Sequence, residues 1–306
     1  MGAARARGYR ILTMQPTPAF PRSFPRMPHW LRAARRALVL MAGMLAVLSG
    51  AALAQTVAVT FDDGLDPRGE PRAAQWNAHL LDTLARHRVR AMFFPAGVVV
   101  DSPDGLALVR AWGQAGHAIG NHTYSHQALG PAMEVDAFWQ DVEREQALLS
   151  SMPGWCPRLR FPYLNEGETP ERNAHMMAVL AEHGYGVAAV TIAIDDWNYN
   201  MRFLQQADAN PGLDISSYRK AYLDRLWKQA SEQEAEWKKR LGRSPPHVLL
   251  LHTNALNTIL LGDILDMFKQ HGWTFVDPAA AFADPIYQRG FVRNGQQGML
   301  PVPACR

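Results

Sequence analysis

The residues most suited to catalysis or metal binding are two closely spaced pairs, one of imidazoles and one of carboxylates. His122 and His126 lie four positions apart, so one helical turn would bring both rings to the same side. Neutral imidazoles suit a divalent metal, and catalytic zinc typically takes three protein ligands and leaves a position for water. Asp62 and Asp63 are the nearest carboxylates that could complete the set. Each pair alone also fits a solvated loop.

Adjacent carboxylates in an extended segment point in different directions, so one can bind a metal while the other accepts a proton. A bound metal lowers the pKa of water towards about 7, and a nearby carboxylate can then take the proton as water attacks a carbonyl carbon. A leaving amine needs a proton donor. His252 is placed for this role, and Asp196 could pair with it and raise its pKa. The set therefore predicts metal-assisted hydrolysis.

Strands that alternate with helices must position these residues. The predicted strands span 57–61, 89–94, 117–120, 159–161, 185–194, 247–251 and 273–276. This alternation favours a parallel, barrel-like α/β domain. In such a barrel the chemistry gathers on the loops that follow the carboxyl ends of the strands. Five polar clusters fall at such ends, at 60–64, 120–126, 160–163, 195–197 and 250–252. We therefore expect them to meet at one face.

The helices show the same organisation. They are predicted over 72–86, 134–149, 169–183, 216–240 and 255–271, with one more that begins near Pro103 after a cap at Asp101 or Ser102. The alternation is interrupted after Trp197, where a charged helix looks like an insertion of about 199–245. A polar tail without periodicity follows over 285–306. The catalytic domain is therefore expected over 55–284.

The first 54 residues have the composition of a secretory signal with an N-terminal extension. Arg32, Arg35 and Arg36 precede an apolar run over 37–48, and an Ala-x-Ala sequence ends at Ala54. The run is shorter than the about 20 residues of a comfortable transmembrane helix. An uncleaved membrane anchor is the alternative. We predict cleavage near Ala54 and an exported protein, periplasmic or secreted, without a membrane span in the mature chain.

Composition narrows the classes of partner. The 306 residues are 48% hydrophobic and 19% charged, which is ordinary for a globular chain and excludes a disordered or collagen-like protein. The formal charge of +3 comes from the first 54 residues, which hold eight arginines and no acid. The remainder has 23 basic and 28 acidic side chains, so we expect no nucleic-acid partner. We expect a monomer.

The sequence contains two cysteines, Cys156 and Cys305. An exported protein tolerates disulfides, and a bridge between these two would pin the C-terminal tail. Two unpaired thiols are the alternative. Neither cysteine has a metal-ligand spacing such as CxxC, so neither is expected to bind the metal.

The motifs TFDDG, HTYSH, RFPY, a DW pair and LLH, in this order, resemble those of the polysaccharide deacetylase family. This is the NodB-homology domain, carbohydrate esterase family 4. The resemblance covers about residues 56–284, and its first three motifs together are highly specific. It implies a distorted (β/α) barrel of about seven parallel strands with one divalent metal, usually zinc. Cobalt, nickel or manganese would also fit the same ligands.

Matched motif by motif, the resemblance assigns roles to the first three clusters. It implies that Asp62 is the catalytic base and that Arg160 orients it. Asp63, His122 and His126 would bind the metal.

The remaining matched residues would stabilise the oxyanion, bind the acetyl group or act as the general acid. The resemblance implies that the backbone N–H of Tyr163 stabilises the oxyanion with the metal. Tyr163, Trp197 and Leu250 would line a pocket for the acetyl methyl group. His252 would be the general acid, tuned by Asp196.

Two departures from the family pattern affect the acid side of the mechanism. The family often has a further acid where this sequence has Ala193. Asp195 is an extra acid that could face His252 in place of Asp196. The insertion after Trp197 also separates the last two motifs by more than is usual in the family.

The resemblance implies hydrolysis of an acetylated glycan. The first hypothesis is removal of N-acetyl groups from a GlcNAc-containing polysaccharide such as a chitooligosaccharide, peptidoglycan or exopolysaccharide. The second is an O-acetyl esterase on xylan or another acetylated glycan, which needs the same site. The third is a non-catalytic glycan-binding barrel, which would usually lack a base or a ligand. A zinc peptidase is disfavoured because no HExxH occurs.

Overall fold

A sheet of seven parallel strands forms the centre of the protein. The computed structural model describes residues 55–210, 212–293 and 296–305, and the expected signal segment lies outside them. The strands are β1 (Thr56–Asp63), β2 (Ala91–Pro95), β3 (Ala118–Asn121), β4 (Trp155–Leu159), β5 (Gly186–Val187), β6 (Pro246–His252) and β7 (Thr274–Phe275). Their order is β5-β4-β3-β2-β1-β6, and β7 pairs with the first residues of β1. The predicted α/β barrel class is confirmed.

Helices connect the strands. They are α1 (Ala73–His87), α2 (Gly97–Val100), α3 (Pro103–Gln114), α4 (Val135–Leu149), α5 (Pro170–Glu182), α6 (Asp196–Ala209), α7 (Ser216–Leu241), α8 (Ala255–Gln270) and α9 (Pro278–Ala281). Ser102, not Asp101, is the cap of α3, because its side chain accepts the Gly105 N–H, and the Thr169 side chain likewise accepts the Arg172 N–H at the start of α5. Within the described residues, no helix combines the length and apolar character that crossing a membrane requires.

The fifth predicted strand is divided between two neighbours. Gly186 and Val187 pair with β4, and the chain then crosses to β6, where Ile192 bridges Leu249. The expectation of one continuous strand over 185–194 is therefore wrong. Because this segment pairs first with β4 and then with β6, it bridges the two sides of the sheet and closes it as a distorted barrel. The fourth strand also begins earlier than predicted, at Trp155.

Strand alternation decides which side chains reach the barrel interior. On β1, Val59 and Phe61 belong to the large apolar cluster that includes the helices. Ala58 belongs to a smaller cluster that includes Phe94 of β2. Asp62 shares the parity of Ala58, so it lies on the inner face at the carboxyl end of the strand. This parity brings a carboxylate to the mouth of the barrel.

The region between β5 and β6 holds two helices where one was predicted. The long helix α7 agrees with the expected 216–240, but α6 was missed. Asp196 and Phe203 of α6 are buried, and Tyr199, Leu204 and Ala207 are partly buried against the core, so the helix packs through an apolar face that the sequence analysis missed.

The C-terminal segment is also more regular than its polarity indicated. A 3-10 turn at Pro285–Tyr287 precedes the antiparallel hairpin of β8 (Gly290–Arg293) and β9 (Gln296–Met299). Strands of four residues are at the lower limit of length at which alternation can be recognised. Cys305 forms a disulfide with Cys156 of β4, which attaches this segment to the barrel.

Candidate active site

A cavity of about 530 Å³ opens at the carboxyl ends of the strands. Eight of the ten predicted site residues line it: Asp62, Asp63, His122, His126, Tyr163, Trp197, Leu250 and His252. The other two, Arg160 and Asp196, are fully buried and contact lining residues from behind. The parallel strands therefore bring together side chains that are far apart in the sequence.

Asp63, His122 and His126 present three ligand atoms to one point. Asp63 Oδ1 lies 3.5 Å from His122 Nε2 and 3.2 Å from His126 Nε2, and the two imidazole nitrogens are 3.2 Å apart. The carboxylate reaches this position because Asp63 has a φ of +76°, in the left-handed region. The backbone therefore turns sharply between Asp62 and Asp63, and their carboxylates separate.

The two histidines meet by a different route from the one that their spacing suggested. The segment 122–126 is a loop, not a helical turn. Thr123 and His126 have φ values of +63° and +56°. The loop is held by Asn121, whose side-chain oxygen accepts the Thr123 N–H, and by the Thr123 hydroxyl, which accepts the His126 N–H. Backbone strain of this kind is concentrated at functional sites.

The donor set fits a divalent cation. His122 Nδ1–H donates to the carbonyl oxygen of Arg160 over 2.7 Å, which leaves the lone pair of Nε2 facing the cluster. Burial on its own raises the pKa of Asp63, but the adjacent imidazoles of His122 and His126 and the charge of His252 hold it well below its usual range. A deprotonated carboxylate and two converging imidazole nitrogens are ligands that zinc accepts.

Asp62 is buried beside the three converging ligands Asp63, His122 and His126, which we call the metal-type cluster. Its side chain is only 3% exposed, and Oδ2 lies 3.8 Å from Arg160 Nη1 and 3.8 Å from His122 Nε2. Oδ1 has no hydrogen-bond partner among the residues that the structure describes. Arg160 is held in turn by a 2.9 Å hydrogen bond from Nη2 to the Thr60 hydroxyl. One carboxylate oxygen therefore faces a buried cation while the other is free to accept a proton.

His252 is held by a buried carboxylate on the other side of the cavity. Its Nδ1–H donates to Asp196 Oδ1 over 2.6 Å, and its backbone N–H donates to Asp196 Oδ2 over 2.8 Å. Asn257 donates a further hydrogen bond to Oδ2. Asp195 is exposed and instead accepts from the Asn198 side chain. The structure therefore places Asp196, not Asp195, against His252.

The charges around His252 decide its protonation. Burial of the ring on its own lowers the pKa, but the charge and hydrogen bond of Asp196, with the charges of Asp63 and Asp62, raise it to about 9. The ring is therefore an imidazolium at neutral pH in this environment. Its Nε2 lies 3.9 Å from Asp63 Oδ2, on the side of the metal-type cluster.

Tyr163, Trp197 and Leu250 differ in how they line the cavity. The Tyr163 and Trp197 side chains are at the rim, with the residues 72% and 56% exposed, whereas Leu250 is 5% exposed. Leu250 therefore offers the most enclosed apolar surface. Tyr163 has a φ of +57° within the turn at Pro162–Leu164. Its backbone N–H bonds to no acceptor among the described residues, so it is available as a donor.

Sequence reasoning missed the residues that support the site from behind. Glu145 of α4 is fully buried and accepts the His122 backbone N–H at 3.2 Å, and burial raises its pKa well above the usual value. The sequence could have indicated this role, because Glu145 is a carboxylate on the apolar helix face formed by Phe138, Val142 and Leu149. Asn257 similarly interrupts the apolar surface of α8.

Comparison with known proteins finds relatives for the first part of the described chain. Residues 50–188 match the family model described as polysaccharide deacetylase. The chain is 31% identical over 142 residues to a peptidoglycan-N-acetylglucosamine deacetylase of Bacillus cereus, covering 46% of each protein. It is 34% identical over 130 residues to a chitooligosaccharide deacetylase of Sinorhizobium fredii, covering 41% of this chain and 56% of that protein. The chain thus spans about half the length of these curated relatives.

A solved structure shows the same fold. The carbohydrate esterase family 4 esterase of Streptococcus mutans superposes with a TM-score of 0.51 at 23% identity, covering 74% of this chain and 86% of that chain. Residues 50–188 of this chain are thus similar to the polysaccharide deacetylase family, and the rest of the chain lies outside that match.

Proposed function

We propose that this protein is an exported, metal-dependent hydrolase that removes N-acetyl groups from a GlcNAc-containing polysaccharide. The observation that carries the proposal is one cavity with three functional parts. The metal-type cluster of Asp63, His122 and His126 lies between a buried carboxylate, Asp62, and a carboxylate-bound imidazole, His252. The relatives named as peptidoglycan and chitooligosaccharide deacetylases support this class of substrate.

Asp63, His122 and His126 would hold one divalent metal. Two imidazoles and a carboxylate favour zinc, with cobalt, nickel or manganese as alternatives. When bound, the metal supplies Lewis acidity and lowers the pKa of water. Because His122 Nδ1–H is bonded to a carbonyl oxygen, the ring is oriented for this role before any metal binds.

Asp62 is the proposed general base. Its unpartnered Oδ1 accepts a proton from the attacking water as the water oxygen bonds to the acetyl carbonyl carbon. The Arg160 guanidinium, 3.8 Å from Oδ2, orients the carboxylate for this step. The Tyr163 N–H donates to the carbonyl oxygen as negative charge develops there. Leu250 supplies apolar surface for the methyl group.

His252 is the proposed general acid. As the carbon–nitrogen bond breaks, Nε2–H gives its proton to the departing nitrogen, so the products are acetate and a glycan amine. Asp196 holds the ring by Nδ1 and stabilises its positive charge. The two proton transfers therefore occur on opposite sides of the acetyl group.

We also propose that the mature protein is a monomer outside the cytoplasm. The disulfide between Cys156 and Cys305 supports export, because such bonds persist in oxidising compartments.

The test is acetate release by the purified protein from chitooligosaccharides, peptidoglycan and acetylated xylan. Activity should disappear on chelation and return with Zn²⁺. Asp62→Asn should retain bound metal and lose activity, whereas Asp66→Asn, which changes a partly exposed carboxylate outside the cavity, should retain both. Release from xylan alone would identify the O-acetyl esterase instead. Glycan binding without acetate release would identify a non-catalytic barrel.

A further inference from the structure

A second cavity, of about 200 Å³, lies beside the catalytic one. Phe161 and Leu164 line both cavities, so they form the partition between them. Leu164 is 45% exposed and has a φ of +56°, directly after the strained Tyr163. The opposite wall is the segment 187–190, where the chain crosses from β5 to β6. This second cavity, which we call the side cavity, therefore lies in the irregular part of the barrel wall, next to the catalytic cavity.

The polar groups of this side cavity are Glu166 and Arg289. Arg289 Nη2 donates to Glu166 Oε1 over 3.0 Å, and their side chains are 37% and 25% exposed. Arg289 Nε is buried and has no hydrogen-bond partner among the described residues. Because Nε is covered, the exposed part of the guanidinium is what a ligand in the cavity could contact.

The position of Arg289 depends on the C-terminal segment. Its carbonyl oxygen accepts the N–H of Leu300, and the neighbouring Tyr287 hydroxyl donates to the Pro246 carbonyl over 2.7 Å. The disulfide at Cys305 attaches the end of this segment to β4. Arg289 thus comes from outside the residues that match the family, yet it is held beside the catalytic cavity.

A carboxylate beside a guanidinium has the chemistry to bind neighbouring hydroxyl groups. Glu166 accepts from one hydroxyl, and Arg289 donates to the next. The pair has no net charge, which favours a neutral ligand over an anionic one. Leu164, Val187 and Val190 supply apolar surface for the C–H face of a ring. Apolar walls with a few convergent polar groups are typical of small-ligand sites.

We propose that this side cavity binds the sugar adjacent to the one that is deacetylated, as a neutral pyranose with free hydroxyls. The assignment of a sugar rests on the proposed function. We infer that the two sugars are adjacent because Phe161 and Leu164 separate the two cavities, and one glycan chain can pass over them from the catalytic cavity. Glu166 and Arg289 would then select for chain length and not for the acetyl group itself.

The test measures the affinity for an N-acetylglucosamine tetrasaccharide by calorimetry, with Zn²⁺ added. The background is Asp62→Asn, so that the ligand is not consumed. Adding Arg289→Gln should weaken binding about tenfold, the loss expected for one or two hydrogen bonds. Adding Glu166→Gln should weaken binding in the same direction. The affinity for the monosaccharide should change less than about twofold, because it occupies one cavity only.

Arg243→Gln is the matched control. Arg243 also pairs with a residue of the C-terminal region, Asp284, at 2.8 Å, but it lines neither cavity. Equal tetrasaccharide affinity in the Arg289, Glu166 and Arg243 variants would overturn the subsite, as would the absence of tetrasaccharide binding. Unfolding midpoints separate a folding defect from lost contacts, and Glu166→Gln keeps the test valid if Arg289→Gln unfolds. Acetate release by the wild-type protein decides the proposed function separately.

Discussion

Nδ1 of His252 and Oδ1 of Asp196 are 2.6 Å apart, and the other oxygen of the same carboxylate accepts the His252 backbone N–H. Asp196 begins α6 and His252 ends β6, so this contact joins two elements across 56 positions of the chain. Because ring and backbone are both held, the imidazole cannot turn without breaking a buried hydrogen bond. Nδ1 therefore keeps its proton, and Nε2 is the nitrogen that can release one.

We expect Asp196→Asn to lower the rate of acetate release by about 100-fold, because an amide does not stabilise the imidazolium of His252. The matched control is Asp195→Asn, which changes the adjacent but exposed carboxylate and should stay within about twofold of wild type. Rates with saturating substrate measure both. Equal losses in the two variants would contradict the assignment of Asp196.

Removing one imidazole should remove the metal. His126→Ala deletes one of three converging ligands while its ring is partly exposed, so little packing is lost. We expect zinc bound per chain to fall from about one to near zero after dialysis, because catalytic sites typically use three protein ligands. Metal content is measured by atomic emission. His175→Ala changes an exposed histidine of α5 and should bind zinc as the wild type does; zinc retained by His126→Ala would exclude the cluster.

The disulfide should stabilise the fold. It links positions separated by 149 residues, and bonds that close long loops restrict the unfolded chain most strongly. We expect the double variant Cys156→Ser, Cys305→Ser to lose about 2–4 kcal/mol of unfolding free energy, measured by denaturant titration. Reductant should destabilise the wild type and leave the double variant unchanged. Two free thiols in the unreduced wild-type protein would contradict the bond.

A buried histidine away from the cavity should make stability depend on pH. His117 is 4% exposed and accepts the Ala91 N–H at Nδ1. Burial, with the charge of Arg90, lowers its pKa to about 4 from 6.5. The unfolded chain therefore binds more protons between these values, so stability falls as pH falls from about 6.5 to about 4. Linkage gives a loss of about 3 kcal/mol.

The histidine variant isolates this effect. His117→Asn keeps an acceptor for the Ala91 N–H but cannot titrate, so its unfolding free energy should vary less over this range. His79→Asn changes an exposed histidine and should follow the wild type. Denaturant titrations at pH 4, 5, 6 and 7 provide the comparison. The same slope in all three proteins would assign the acid sensitivity to other groups.

The sequence predicted the elements that have strong local signals. The cap and proline at Ser102 and Pro103 placed the start of α3, and the charged run over 216–240 predicted α7. It did not predict α6, whose apolar face of Tyr199, Phe203, Leu204 and Ala207 is only partly buried and lies among polar residues. It also did not predict the crossing after β5, since Ile192 pairs with a strand more than 50 residues away.

By itself, the sequence determined which chemical groups the protein carries and that they follow the ends of parallel strands. Strand alternation is a local property, so it was sufficient to bring Asp62, His122 and His252 to one mouth. Tertiary structure decided between Asp195 and Asp196, because the choice depends on where α6 begins and packs against β6. It also placed Arg289 beside the cavity, through contacts of the C-terminal segment with distant strands. Such contacts leave no pattern in neighbouring residues, because the packing of the whole barrel determines them.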